Sequence, residues 1–173
     1  MKRDGIEKLI KWLDTTDFYT APASTRFHGN YPGGLVEHSL DVLDEMNVLR
    51  KAYHDHLNLS FSDDSIKIVA LLHDVCKADM YGVEKRNRKN AQGQWEQYDF
   101  YTRNELFNFG GHGSKSVWLV SKHIQLTDEE AVAINCHMGS WDGNTSVGDA
   151  YEQFPLAWLL HVADEASTYL LER

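Results

Sequence analysis

Cysteine, proline and basic side chains are all scarce in this sequence of 173 residues. The two cysteines, Cys76 and Cys136, have no paired metal-ligand spacing and form no disulfide framework, which argues against a structural zinc site and against a disulfide-rich secreted protein. Lys and Arg number 17 against 26 Asp and Glu, so the formal net charge is −9 and disfavours a broad polyanion-binding surface. We therefore expect no long nucleic acid as a partner.

Long hydrophobic runs are also missing. No run approaches the roughly 20 apolar residues that span a bilayer, and the first residues, MKRDGIEKLIKWLD, lack the apolar stretch of a signal peptide. We expect a soluble, cytoplasmic protein with no membrane partner. No internal repeat and no linker rich in proline, glycine and serine divides the chain, which predicts a single domain over residues 1–173. The oligomeric state is left open by the sequence.

Apolar residues recur at three- to four-residue spacing in much of the chain, which predicts amphipathic helices. Ser62 or Asp63 can cap a helix that is apolar nearly all round, and Thr127 opens a capping-box pattern. Rough alternation with aromatic and basic residues on both sides of the turn at 90–93 predicts a β-hairpin, which is either a substrate lid or a solvated basic face. The predicted fold is mainly α, with about six helices at 6–14, 35–53, 62–77, 114–123, 127–139 and 154–171 and an inserted β-hairpin at about 81–101.

The segment Leu71 to Lys77, LLHDVCK, places an imidazole and a carboxylate side by side at the end of an apolar helix. A buried carboxylate without a partner costs several kcal/mol, so His73 and Asp74 need a cation, a hydrogen-bond network or water nearby. A helix cap or a simple His-Asp hydrogen bond is the alternative interpretation, and it is the commoner one for an isolated pair.

Further candidate ligands lie on other predicted helices. Asp164 falls within the apolar stripe of the last helix, and His38 lies between Leu35 and Val42 in the long helix. His112 opens a helix and His137 closes one. Imidazoles and carboxylates are ligands for Mn, Fe, Ni, Co and Zn, so this pattern favours a catalytic metal site.

The order His38, His73-Asp74, Asp164 resembles the HD-domain superfamily of metal-dependent phosphohydrolases, whose signature is a His, a His-Asp pair and a distal Asp. The HDxxK form at 73–77 and the run HGNYPGGLVEH at 28–38 are similar to the subgroup that includes the catalytic domains of bacterial 3′ to 5′ exoribonucleases. The match spans about residues 27–173. The resemblance implies an HD-domain helical bundle.

Site roles follow from the resemblance. It implies a first metal held by His38, His73, Asp74 and Asp164, with Asp74 able to bridge to a second metal held by His112 and His137. The two histidines can instead contact a substrate phosphate or be structural. The expected cofactors are divalent transition metal ions, two of them, from Mn, Fe, Ni or Co, with Mg as an alternative.

Several residues are candidates for binding the substrate. Lys77 can hold a phosphoryl oxygen and so act beside Asp74 in catalysis, or it is a solvated lysine at a helix end. His161, three residues before Asp164, can support a ligand from outside the metal shell. The other candidates are Arg26 and His28, for which loop packing is as good an explanation, and Ser114 and Lys115 in a glycine-rich turn that can bind an anion or be simply a turn.

The leading functional hypothesis is hydrolysis of a phosphate ester in a nucleotide, cyclic nucleotide or short oligonucleotide by metal-activated water. The net charge favours a small phosphorylated substrate, such as a nucleotide. The alternatives are a di-iron oxygenase on the same fold and a non-catalytic module that binds a nucleotide.

Overall fold

The computed structural model describes residues 1–104, 110–143 and 145–171, and this part of the chain is mainly helical with one β-hairpin. This confirms the predicted mainly α class with an inserted hairpin. Short 3₁₀ turns occupy Val75–Lys77 and Gly139–Asp142, and a π-helical turn follows at Ser167–Leu171. The helices are α1 Ile6–Leu13, α2 Gly34–Leu57, α3 Asp63–Leu72, α4 His112–Ser121, α5 Asp128–Cys136, α6 Val147–Gln153 and α7 Pro155–Ala166.

Helices α2, α3, α5 and α7 pack around the main hydrophobic core. Each contributes fully buried apolar side chains, including Met46, Val69, Ile134 and Leu160. A second cluster, which includes Leu9 and Leu13 of α1, packs against the other side of α2 and α3. Because burial of apolar surface fixes these helices against one another, it also fixes the polar side chains that they carry into the interior.

The predicted helix starts are confirmed where capping residues occur. The Ser62 hydroxyl accepts a hydrogen bond from the backbone N–H of Ser65 at the start of α3. At the start of α5, Thr127 and Glu130 form a reciprocal capping box. These contacts satisfy backbone N–H groups that have no partner within the helix.

The structure also corrects the predicted helix ends. α3 ends at Leu72 instead of near Lys77, because the backbone of Asp74 leaves the helical range (φ −107°, ψ 15°). α7 ends at Ala166 instead of near Leu171, and the π-helical turn beyond it shifts the phase of the chain, so Leu171 is exposed. The sequence did not indicate α6, since it is short and carries no buried residue from which a stripe could be recognised.

The hairpin consists of β1, Tyr81–Lys89, and β2, Trp95–Arg103, paired antiparallel with Tyr81 opposite Arg103. It extends two residues past the predicted end. At its turn, the Asn90 side chain accepts the backbone N–H groups of Gln92 and Gln94, and Gly93 adopts a positive φ of 77°. Because of this register, the first residue of β1 and the last residue of β2 lie side by side at the base of the hairpin.

None of the helices within the described residues combines the length and the apolar character needed to cross a bilayer. The predicted single domain of residues 1–173 includes 105–109, 144 and 172–173, which lie outside the described residues, and it stays a prediction, as does the cytoplasmic location.

Candidate metal centre

Five of the predicted ligands meet inside the helical bundle, and all five are buried. His38 lies in the second turn of α2, and His73 is the C-cap residue of α3 and is followed directly by Asp74. His137 is the C-cap residue of α5, and Asp164 lies in the last turn of α7. The structure therefore brings these five side chains together, and their role as metal ligands stays a prediction.

Two overlapping groups of three side chains have the geometry of a metal site. In the first, His38 Nε2 lies 3.1 Å from Asp164 Oδ1 and 3.2 Å from His73 Nε2. In the second, His137 Nε2 lies 3.5 Å from Asp74 Oδ1, and His73 Nε2 lies 3.6 Å from Asp74 Oδ2. The ligand atoms within each group all lie within 4.8 Å of one another. The two Asp74 oxygens face different histidines, which is the orientation that a bridging carboxylate requires.

The ends of α3 and α5 orient two of the imidazoles. His73 Nδ1 lies 2.8 Å from the Ala70 carbonyl oxygen, and His137 Nδ1 lies 2.7 Å from that of Ile134. Since a carbonyl only accepts, each Nδ1 carries the proton and donates it, so Nε2 of the neutral ring presents a lone pair to the cluster. A histidine held in this way by a backbone carbonyl is a typical metal ligand.

The charges of the cluster suit a cation. Burial lowers the pKa of His73 to about 4, so its ring is neutral near pH 7. Burial opposes ionisation of Asp74, but Lys77, His73 and His137 together hold its pKa well below the usual range. Burial also opposes ionisation of Asp164, and the hydrogen bond from His38 is the main reason that its pKa is lowered. Burial also opposes a charge on His137, but the contact with Asp74 raises its pKa. Two ionised carboxylates thus face the imidazoles of the cluster.

Two polar atoms in the cluster lack hydrogen bonds to any of the described residues. Asp74 Oδ1 and His137 Nε2 are both buried, and their separation of 3.5 Å is too long for a strong hydrogen bond. A buried polar atom left in this state costs about 1–3 kcal/mol. A cation between them would satisfy both, and the set of imidazole nitrogens and carboxylate oxygens suits Mn, Fe, Co, Ni or Zn. The residues therefore fit a metal ion.

His112, the sixth predicted ligand, is the first residue of α4 and lines the cavity above the cluster. It does not belong to either group of three. Gly113 lets α4 approach the end of α5, because a Cβ at Gly113 would lie only 2.4 Å from the Asn135 carbonyl oxygen. This close approach keeps His112 on the same side of the bundle as His137.

Lys77 is buried, so the alternative of a solvated lysine is wrong. Its Nζ lies 2.6 Å from Asp74 Oδ2. The Val75–Lys77 segment is a 3₁₀ turn, in which residues three apart eclipse one another, so Lys77 lies over Asp74. Although burial opposes its charge, Asp74 raises the pKa of Lys77.

A cavity of about 830 Å³ opens above the cluster, with Asp74, Lys77, His112 and Asp164 among its lining. This volume is in the range of sites that hold a small molecule. The remaining lining residues are Ala23, Ser24, Thr25, Phe27, His28, Met80, Tyr81, Arg103, Met138, Trp141, Glu165, Thr168 and Tyr169. Of the described hairpin residues, only Tyr81 and Arg103 at its base line this cavity.

The predicted substrate residues do not all reach this cavity. His28 lines it, with its ring centroid 5.0 Å from that of His38. The Arg26 guanidinium instead lies over the Phe100 ring of the hairpin, 5.4 Å from its centroid.

The structure places Ser114 and Lys115 in the first turn of α4 and not in the glycine-rich turn before it. The Ser114 hydroxyl donates to Asn135 Oδ1 at 2.8 Å. The Lys115 amine is buried and donates to the Cys76 carbonyl oxygen at 3.1 Å. Both side chains therefore connect α4 to neighbouring segments, and neither is among the cavity lining.

His161 contacts the metal centre through the backbone. Its Nδ1 donates to the His137 carbonyl oxygen at 2.7 Å, and its ring stacks on Tyr151 with centroids 5.5 Å apart. A Cβ on Gly139 would lie 2.9 Å from the His161 ring, so the glycine leaves room for this contact. His161 thus supports a candidate ligand from outside the cluster, as the sequence predicted.

Twelve of the lining residues were not predicted, among them Tyr81, Arg103, Trp141 and Tyr169. The signal available for Arg103 was the hairpin, because a strand that pairs with β1 must return its last residues beside Tyr81. Trp141 and Tyr169 follow His137 and Asp164 by four and five residues, and an aromatic residue just after a candidate ligand was the available signal.

Comparison with known proteins supports the predicted class of reaction in part. The chain is similar to the dihydroneopterin 2′,3′-cyclic phosphate phosphodiesterase of Methanocaldococcus jannaschii, with 34% identity over 90 residues. The aligned segment is 50% of this chain but only 32% of the relative, so the chain spans about a third of the relative's length. No family model and no solved structure matches the chain. The relative's name describes a phosphodiesterase, which is the reaction class that the resemblance implied.

Proposed function

We propose that this protein is a metal-dependent phosphohydrolase of the HD superfamily that hydrolyses a small phosphodiester, such as a cyclic nucleotide. The observation that carries the proposal is the buried convergence of three histidines and two aspartates at the floor of a cavity large enough for a nucleotide-sized ligand. The similarity to a cyclic phosphate phosphodiesterase supports the reaction class. The HDxxK form and the cytoplasmic location belong to the same proposal.

The proposed metal ligands are His38, His73, Asp74 and Asp164 for a first ion, with Asp74, His112 and His137 for a second. Bound divalent metal would lower the pKa of a water molecule toward 7 and stabilise negative charge on phosphate oxygens. The preferred ions are Mn, Fe, Ni or Co, with Mg as the alternative.

The chain's own groups have separate tasks in this proposal. Asp74 and Asp164 are ionised and place two negative charges at the floor of the site, so they attract cations. Lys77 holds Asp74 in place through their ion pair and, lining the cavity, lies where it can also approach a phosphoryl oxygen. Arg103, at the base of the hairpin, supplies a second cation to the cavity wall. These two cations give a local site for a phosphate in a chain of net charge −9.

The test combines metal analysis with turnover. The purified protein, its His38→Ala variant and the control His56→Ala, which changes an exposed histidine of the same helix, are analysed by inductively coupled plasma mass spectrometry. Each is then assayed with bis-para-nitrophenyl phosphate and with nucleoside 2′,3′-cyclic phosphates after addition of Mn²⁺, Ni²⁺, Co²⁺ or Mg²⁺. We expect about two metals and turnover in the parent and the control, with loss of both in His38→Ala.

Other outcomes would redirect the assignment. About two irons per chain without hydrolysis of any ester would favour the di-iron oxygenase. No metal and no turnover under any addition would refute the hydrolase and leave the nucleotide-binding module. Equal metal content in His38→Ala and His56→Ala would show that the cluster is not the metal site.

A further inference from the structure

The rim of the cavity carries three exposed aromatic rings. Phe27 is 80% exposed, Trp141 is 78% exposed and Tyr169 is 57% exposed, and all three line the same cavity. Single exposed aromatic residues are ordinary on a protein surface. Several aromatic residues around the entrance of one cavity with polar side chains at its floor indicate a binding surface. The rings come from three separate segments of the chain, so their meeting is a property of the fold.

Each ring is held on a segment that also carries a residue of the candidate metal centre or its wall. Phe27 precedes His28, and its backbone N–H donates to the Ser24 hydroxyl at 2.7 Å, while that hydroxyl donates to the His28 carbonyl oxygen at 2.8 Å. This short closed turn fixes the backbone under an exposed ring. The position of Phe27 relative to the cavity is therefore set by the protein before any ligand arrives.

The other two rings are placed in the same way. Trp141 lies in the 3₁₀ turn Gly139–Asp142, four residues after His137, and its backbone N–H donates to the Met138 carbonyl oxygen at 3.2 Å. Tyr169 lies in the π-helical turn that follows Asp164. Single π-helical turns are frequent at functional sites, and short 3₁₀ turns are common beside helix ends.

We propose that Phe27, Trp141 and Tyr169 form a stacking site for a planar heteroaromatic ring on the substrate, while the metal centre and Lys77 take its phosphate. The placement of the phosphate rests on the proposed function, whereas the placement of the heteroaromatic ring rests on the three exposed aromatic side chains. Aromatic side chains stack on the face of a base and read it weakly, so the site accepts different planar rings and binds phosphate esters without one less tightly.

The main test separates the ring from the phosphate by using uncharged probes. Adenosine and ribose are titrated into the chain in the presence of EDTA, and binding is followed by saturation-transfer nuclear magnetic resonance. Adenosine should bind and ribose should not. Trp141→Ala should weaken adenosine binding about 10-fold, and Trp141→Phe should retain most of it, since loss of one stacking partner has an effect of this size. Trp95→Ala is the matched control, because Trp95 is a 71% exposed tryptophan near the hairpin turn and does not line the cavity.

A kinetic measurement on the loaded enzyme completes the test. With adenosine 2′,3′-cyclic phosphate as substrate, Trp141→Ala should raise KM about 10-fold and leave kcat nearly unchanged, because a ring distant from the phosphate contributes binding in the ground state and the transition state alike. Equal binding of adenosine and ribose, or an equal loss in Trp95→Ala and Trp141→Ala, would overturn the stacking site.

The two proposals fail differently. Adenosine binding that depends on Trp141, without hydrolysis of any ester, would support the stacking site and refute the hydrolase. Hydrolysis with the same kcat/KM for esters with and without a heteroaromatic ring would support the hydrolase and refute the stacking site.

Discussion

The buried ion pair between Lys77 and Asp74 gives the sharpest stability prediction. The Lys77 ammonium lies 2.6 Å from Asp74 Oδ2, and both side chains are less than 10% exposed. The substitution Asp74→Ala leaves the ammonium buried without its counter-charge, which costs about 3–5 kcal/mol of folding free energy. The raised pKa of Lys77 has the same cause, since Asp74 favours its charged form.

The assay is urea unfolding in EDTA, followed by circular dichroism, so that bound metal does not contribute. For a slope of about 2 kcal/mol/M, the loss moves the unfolding midpoint down by about 2 M. The double variant Asp74→Ala/Lys77→Met should recover much of this loss, because it removes both charges. Asp99→Ala is the control, since it breaks the exposed Lys85 pair on the hairpin and should cost at most about 1 kcal/mol. A midpoint for Asp74→Ala within 0.5 M of the parent would refute the reasoning.

Three further predictions concern other parts of the fold. Thr127→Ala removes the capping box of α5 and should lower the free energy of unfolding by about 1 kcal/mol in urea. Burial opposes ionisation of Glu130, but the hydrogen bond that it accepts from Arg3 lowers its pKa in the folded state. Its contribution to the free energy of unfolding is therefore complete above about pH 4.3 and is lost as the pH falls through the lower folded pKa. Glu130→Gln should flatten the acid side of a plot of the free energy of unfolding against pH. Burial raises the pKa of Cys76 to about 12, and Cys136 is also buried, so Ellman's reagent at pH 8 should label neither until urea unfolds the chain.

The sequence was sufficient for the part of the site that helix periodicity controls. His38 and Asp164 interrupt apolar stripes, and such positions point inward whenever the stripe packs against the core. His73 and His137 were recognisable because each comes at the end of a helix. Their local hydrogen bonds to carbonyl oxygens three residues earlier then fix the rings, so the sequence pattern and the geometry have the same origin.

Other features depend on contacts that periodicity does not encode. The contact of Lys77 was not predictable from periodicity, because a helix that looks continuous through LLHDVCK ends at Leu72. The backbone angles at Asp74 decide which side chain the lysine contacts. Arg26 lies in the loop before α2 as expected, yet the Phe100 ring of the hairpin holds its guanidinium. No spacing rule within one segment specifies a contact between residues 74 positions apart.

The charge of the cavity floor links the proposed metal centre to the proposed stacking site. Apart from the histidines, the floor carries the carboxylates of Asp74 and Asp164 and the ammonium of Lys77, whose charges sum to one net negative charge. Bound metal cations would therefore add to the attraction of Lys77 and Arg103 for a phosphate, whereas an uncharged ring at the rim does not depend on them. Adenosine binding should then be the same with EDTA and with Mn²⁺, and binding of a non-hydrolysable nucleotide analogue should depend strongly on Mn²⁺. Equal metal dependence of the two ligands would show that ring and phosphate do not occupy separate parts of the cavity.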